Sequence, residues 1–129
     1  MAKTALDLTP QELQTYSPNI ERERTRRQSE QELGNRRQRA WEVAREAARV
    51  LRDQFGAHRV VVFGSLAHES WFTRWSDVDL AAWGIAADQF YRAVAAVTGL
   101  SSVFKVDLVD PESCRPSLRQ AIEREGIEL

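Results

Sequence analysis

Apolar residues recur at three- and four-residue steps through Trp41, Ala44, Ala48, Leu51 and Phe55, and the positions between them are mostly charged. That spacing predicts an amphipathic helix from Arg36 to Phe55 with one buried stripe. The pattern then breaks into short runs. Arg59-Val60-Val61-Val62-Phe63, Val78 to Trp83 and Val103 to Val109 are rich in β-branched or aromatic residues and bounded by turn formers, which predicts three strands. Helical segments intervene: Ala86 to Thr98 places Phe90, Ala93, Val94 and Val97 on one face, and Pro116 to Glu125 is closed by Gly126. Strands alternating with helices make an α/β layer structure.

The N-terminal third is different. Thr9-Pro10-Gln11-Glu12 is a helix start, with Thr9 as cap, Pro10 at the first helical position and Glu12 completing a capping box, and Ser17-Pro18 ends that short helix. From Glu21 to Arg39, seven Arg and four Glu crowd nineteen positions, with only Ile20 and Leu33 as large aliphatic residues in or beside them. Such a segment cannot bury itself. Charges four apart, as in Glu23 with Arg27, Arg26 with Glu30 and Glu32 with Arg36, support a solvated helix. An RNA- or partner-binding arm is the alternative reading, though interleaved Glu weakens the positive field that phosphates need. Gly34-Asn35 suits a helix stop followed by a new cap. The expected division is therefore an extension over residues 1–34 and a folded domain over 35–129.

Length and charge narrow the possibilities. A chain of 129 residues fits one sizeable core and a short appendage. With 18 Lys and Arg against 19 Asp and Glu, no global charge argues for nucleic acid or an anionic membrane as partner. Cys114 is the single cysteine, which excludes an intrachain disulfide and argues against a cysteine-based zinc site. With no apolar stretch of signal-peptide or bilayer length, the expected location is the cytoplasm.

Candidate chemistry starts at Gly64-Ser65, where the first strand ends. Glycine lets a backbone approach a ligand, Ser65 offers a hydroxyl and an amide, and free amides at a helix start over Leu66-Ala67-His68-Glu69 would favour an anion. The same pair also suits an ordinary strand exit with Ser65 as N-cap. Asp77-Val78-Asp79 adds two carboxylates on one strand face, because residues two apart point the same way. Their repulsion calls for a cation, and all-oxygen ligands suit Mg²⁺; a turn residue followed by an edge residue is the plainer alternative. Asp107, inside Phe104-Lys105-Val106-Asp107-Leu108-Val109, is costly to bury unpaired. A strand carrying it beside Asp79 would complete a metal triad. Lys105 shares its face, as an ion-pair partner or a phosphate contact. His68 reads as a phosphate donor or a surface histidine. Trp71 and Trp75, in the segment joining two strands, either pack on that connection or dock a partner.

Gly64-Ser65, eleven residues, Asp77-Val78-Asp79-Leu80 and then a strand with Asp107 resemble the DNA polymerase β-like nucleotidyltransferase superfamily, and its minimal nucleotidyltransferase branch in particular. The resemblance runs from about Trp41 to Leu129 and includes the closing stretch Ala121 to Ile127. It implies a nucleotidyltransferase fold of the α+β kind: a small mixed sheet flanked by helices, here with an N-terminal helical extension. It implies that Gly64 and Ser65 hold the triphosphate, that Asp77 and Asp79 bind two Mg²⁺ ions, and that Asp107 binds one and assists deprotonation of the acceptor hydroxyl. The chain departs in one respect. Many relatives follow Gly-Ser with a basic, Gly-containing segment, where this chain has Leu66-Ala67-His68-Glu69.

Minimal nucleotidyltransferases of this size are similar to antitoxins paired with HEPN-family ribonuclease toxins, which transfer AMP from ATP to a toxin tyrosine. The resemblance thus implies an AMPylating antitoxin with ATP as substrate and a HEPN toxin as partner. Two other functions remain open at this point: a binding module that masks its partner, and a small-molecule nucleotidyltransferase.

Overall fold

The computed structural model describes residues 18–129. The short helix expected from Thr9 to Ser17 lies outside the described residues. Helix α1 spans Pro18–Phe55 and does not stop at Gly34-Asn35. Glycine inside a helix costs about 1 kcal/mol relative to Ala, too little to interrupt a run flanked on both sides by good helix formers. Of the expected charge pairs, Arg26 and Glu30 lie 3.8 Å apart on the helix surface. Contacts divide the chain into two units after Asn35, and the second, Arg36–Leu129, carries the sheet.

Within that unit α1 buries Ala40, Ala44, Ala47, Ala48 and Leu51. Strand β1 is Arg59–Phe63, β2 is Val78–Trp83, β3 is Val106–Val109 and β4 is Ile127–Glu128. Helix α2 is Phe90–Thr98, entered through a 3₁₀ turn at Ala87–Gln89, and α3 is Pro116–Glu125. β1 and β2 match the bounds read from the pattern. β3 begins later than its apolar run, because Ser101 Oγ accepts the amides of Val103 and Phe104 at 3.0 Å each and folds that stretch into a turn.

The sheet order is β3-β2-β1-β4. β1 runs antiparallel to β2 and β4, whereas β3 runs parallel to β2, so the sheet is mixed. β4 was not legible in the pattern, being only two residues long. It is held by the Leu129 amide on the Val60 carbonyl at 3.0 Å and by Arg59, which donates to Glu128 at 2.6 Å and to Glu123 at 3.1 Å. Gly126 allows the return: a Cβ there would run into Val61 and the Ile122 carbonyl.

Strand pairing fixes which residues share a face. Val61, Phe63, Ala81 and Ile122 form one buried cluster, with Trp83, Val109 and Leu118 packed against it, so α3 covers that face through Leu118 and Ile122. Val60, Val62, Leu80 and Ala82 alternate onto the opposite face and are buried as well. No described helix is long and apolar enough to cross a membrane.

Candidate active site

One row of the sheet brings the candidate residues together. Phe63 pairs with Asp79 across β1 and β2, and Asp79 pairs with Asp107 across β2 and β3. The adjoining row is Val61, Ala81 and Val109, all within the apolar cluster under α3. The two carboxylates therefore sit where the apolar face ends, half-buried, with Asp77 just before β2 at the open end. The parallel register of β2 and β3 places Asp79 and Asp107 side by side on one face.

Electrostatics follow from that placement. Burial pushes the Asp79 carboxyl up to about 6, and the charges of Asp107 and Asp77 add to the rise while Lys105 opposes it. A carboxyl raised in this way gains from a bound cation, which offsets both the desolvation and the repulsion. Lys105 Nζ lies 3.6 Å from Asp107 Oδ1, with 68% of its side chain exposed, so this pair is loose and solvated.

Gly64 abuts the same row. Its φ is +71°, and a Cβ there would come within 2.6 Å of Asp79 Oδ2. Glycine thus serves twice, for the left-handed turn and for the close approach of backbone to carboxylate. Past it the chain forms 3₁₀ turns at Gly64–Ala67 and Glu69–Trp71 rather than the expected α-helix. The Gly64-Ser65 turn thus has no α-helix dipole behind it.

The departure from the basic segment after Gly-Ser has a structural counterpart. Arg37 on α1 donates from Nη2 to the Leu66 carbonyl at 3.1 Å, bringing a guanidinium onto the back of the turn. In sequence Arg37 is one charge among many on the helix. His68 turns elsewhere: its ring lies 3.9 Å from that of Trp71, and its Nε2 is 3.7 Å from Glu125 Oε2. Those contacts give it a structural place and add nothing to the phosphate-donor reading. Trp71 and Trp75 are 52% and 77% exposed, so neither is absorbed by packing on the connection.

The residues fit Mg²⁺. Among the described residues no three His, Cys, Asp or Glu side chains are gathered into a ready-made cage. Mg²⁺ seldom uses one: it takes one or two carboxylates and completes its shell with phosphate oxygens and water. A row of carboxylates with one raised pKa, exposed enough for water and phosphate oxygens to complete the shell, matches that habit.

A mixed sheet with this order, a Gly-Ser exit from β1 and carboxylates on β2 and β3 defines a nucleotidyltransferase fold, and solved structures share it. A chain of a toxin-antitoxin complex crystallised with AMP-PNP is 22% identical, the match covering 66% of this chain and 70% of that chain at a TM-score of 0.54. A chain of a mutant toxin-antitoxin pair, MntA-HpeT, with two aspartates changed to glutamate, is 20% identical over the same shares at a TM-score of 0.53. A candidate minimal nucleotidyltransferase is 34% identical, over 75% of this chain and 95% of that chain, at a TM-score of 0.50. At that identity and coverage the chain belongs to the minimal nucleotidyltransferase family. No protein-family model matches it, and no curated protein does.

Proposed function

We propose that the protein is an antitoxin that transfers AMP from ATP, with Mg²⁺, to a tyrosine hydroxyl of a HEPN-family toxin. The observation that carries this reading is the Asp79–Asp107 register beside Gly64, since it juxtaposes a cation-seeking row with an anion-accepting turn. Two further facts support it. Structures of similar fold come from toxin-antitoxin complexes, and one of them was crystallised with AMP-PNP, an adenosine nucleotide. In the other, two aspartates were the residues replaced, the residue type on which the present site rests.

In this mechanism Gly64 and Ser65 hold the β- and γ-phosphates through backbone amides and the Ser65 hydroxyl. Asp77, Asp79 and Asp107 would hold Mg²⁺, which when bound neutralises the triphosphate and makes the acceptor hydroxyl more acidic. The acceptor oxygen attacks the α-phosphorus, the bond to the bridging oxygen breaks, and pyrophosphate leaves. Asp107, at the β3 end of the row, takes the hydroxyl proton and passes it to water. Residues 1–34 act as the partner-facing extension and residues 35–129 as the transferase domain.

Pyrophosphate release tests the reading. It should require ATP, Mg²⁺ and the partner together, and Asp79→Asn should abolish it. Tight partner inhibition without pyrophosphate release, under conditions where ATP binds, would favour a masking module, for which exposed Trp71 and Trp75 would supply the contact.

A further inference from the structure

We propose that a pocket next to the carboxylate row is the acceptor site and that it takes an acidic polypeptide segment carrying the hydroxyl. The proposal rests on the transferase reading above and names what that site accepts. The pocket encloses about 540 Å³ and is lined by Arg36, Arg74, Trp75, Asp77, Val103 and Lys105, all within the Arg36–Leu129 unit.

Position is the first argument. β1 flanks β2 on one side and β3 flanks it on the other. Gly64 and Ser65 follow β1, so a triphosphate held there places its leaving pyrophosphate on the β1 side. In-line displacement brings the attacking oxygen from the opposite side of the α-phosphorus. That direction leads toward β3 and to the pocket, whose wall includes Asp77 before β2 and Lys105 and Val103 before β3.

Charge is the second argument. Arg36, Arg74 and Lys105 face a single carboxylate, Asp77. Among the described residues neither arginine has an acidic partner. Instead Arg36 lies over the Phe104 ring at 4.5 Å and Arg74 over the Trp75 ring at 4.7 Å. Arg36 Nε is itself buried without a hydrogen-bond partner. Guanidinium groups pair with carboxylates through two parallel hydrogen bonds, so acidic side chains flanking a hydroxyl complement this wall. A neutral nucleobase would leave the cations unanswered.

Rigidity is the third. The turn presenting Arg74 and Trp75 is tied at both ends: the Thr73 amide donates to Ser76 Oγ at 2.9 Å, the Ser76 amide to the Thr73 carbonyl at 3.1 Å, and the Trp75 amide to Thr73 Oγ1 at 3.2 Å. Across the pocket, Ser101 fixes the turn through Val103 and Phe104. Trp75 is held 77% exposed beside Arg74 on a locked turn, and both residue types are enriched among the residues that carry binding at protein interfaces.

The test uses two short synthetic peptides with a central tyrosine, one flanked by glutamates and one by lysines, titrated calorimetrically into the full chain. The acidic peptide should bind at least about ten-fold more tightly, and Arg74→Glu and Trp75→Ala should each weaken it by a similar factor. AMP-PNP affinity in the presence of Mg²⁺ should stay within about two-fold in Trp75→Ala, which changes no charge beside Asp77. Equal binding of the two peptides, or acidic-peptide affinity unaffected by Arg74→Glu, overturns the proposal. Loss of AMP-PNP binding with peptide binding intact also overturns it, by assigning the pocket to the nucleotide. Specific binding of the acidic peptide without AMP transfer supports the acidic-segment site while counting against the transferase reading.

Discussion

Replacing Asp79 with Asn should stabilise the fold while removing the group on which transfer depends. The Asp79 carboxyl sits at about 6, against an ordinary value of 3.8, because burial and the charges of Asp107 and Asp77 disfavour its ionised form. The native state therefore holds this proton more tightly than the unfolded chain, and stability falls as pH rises between those two values. The contribution is fully present below about pH 4 and lost above about pH 6. At ~1.4 kcal/mol per pKa unit the unscreened cost of ionisation approaches ~3 kcal/mol. Asp79 is only half-buried, so solvent screening reduces this to about 1–2 kcal/mol. Asn has no charge to desolvate, and Asp79→Asn should gain that amount at pH 8 and almost nothing near pH 4. Urea unfolding followed by tryptophan fluorescence from pH 4.5 to 8 measures the difference. Mg²⁺ should narrow the gap at pH 8, because an ion that binds only the native wild-type site stabilises that form. A variant less stable than wild type at pH 8, or a gain that grows toward low pH, would refute the electrostatic reasoning.

Asp77→Asn should keep the fold, read by circular dichroism, and lower Mg²⁺-dependent transfer by more than the ~10–100-fold typical of changes outside the ligand set; activity within a few-fold of wild type would remove Asp77 from the metal site. Asp107→Asn should lose transfer but keep AMP-PNP binding by calorimetry, because the proposed mechanism gives it the acceptor's proton and only a share in the metal; equal loss of both would contradict that division. Deleting residues 1–34 should leave Arg36–Leu129 folded with nearly the same Tm, since its buried stripe runs from Ala40 to Leu51, while partner binding weakens. A cooperative transition at much lower temperature would place the extension in the core.

What the sequence made legible was what local periodicity controls. A run of Val between Arg59 and Phe63, short, β-branched and bounded by turn residues, favours a buried strand, and Pro116 and Gly126 bracket α3 because each residue acts on its own turn. Asp79 lies in β2 and one parallel register sets Asp107 beside it, whereas Asp77 falls one residue before the strand, where the alternation read from the sequence no longer fixes its direction. Features that depend on distant partners were hidden. β4 exists because Arg59, Glu123 and Glu128 meet across the fold, and two residues carry no period. Gly34-Asn35 looks like a cap in isolation, yet helix continuity is decided by the residues on either side. The turn after Ser65 is 3₁₀ rather than α, which short spacing does not distinguish. Arg36 looked like one more charge on a solvated helix. Only the fold brings it over Phe104 and into the pocket with Arg74.

The central claim is that this carboxylate row moves AMP onto a protein hydroxyl, and peptide-mapping mass spectrometry of the partner tests it most directly. A HEPN-family partner toxin, incubated with the protein, ATP and Mg²⁺, should carry AMP on a tyrosine. The adduct should be absent when Asp79→Asn replaces the wild type or when Mg²⁺ is chelated. An unmodified partner that is nonetheless bound and inhibited, with ATP demonstrably in the site, would contradict the account.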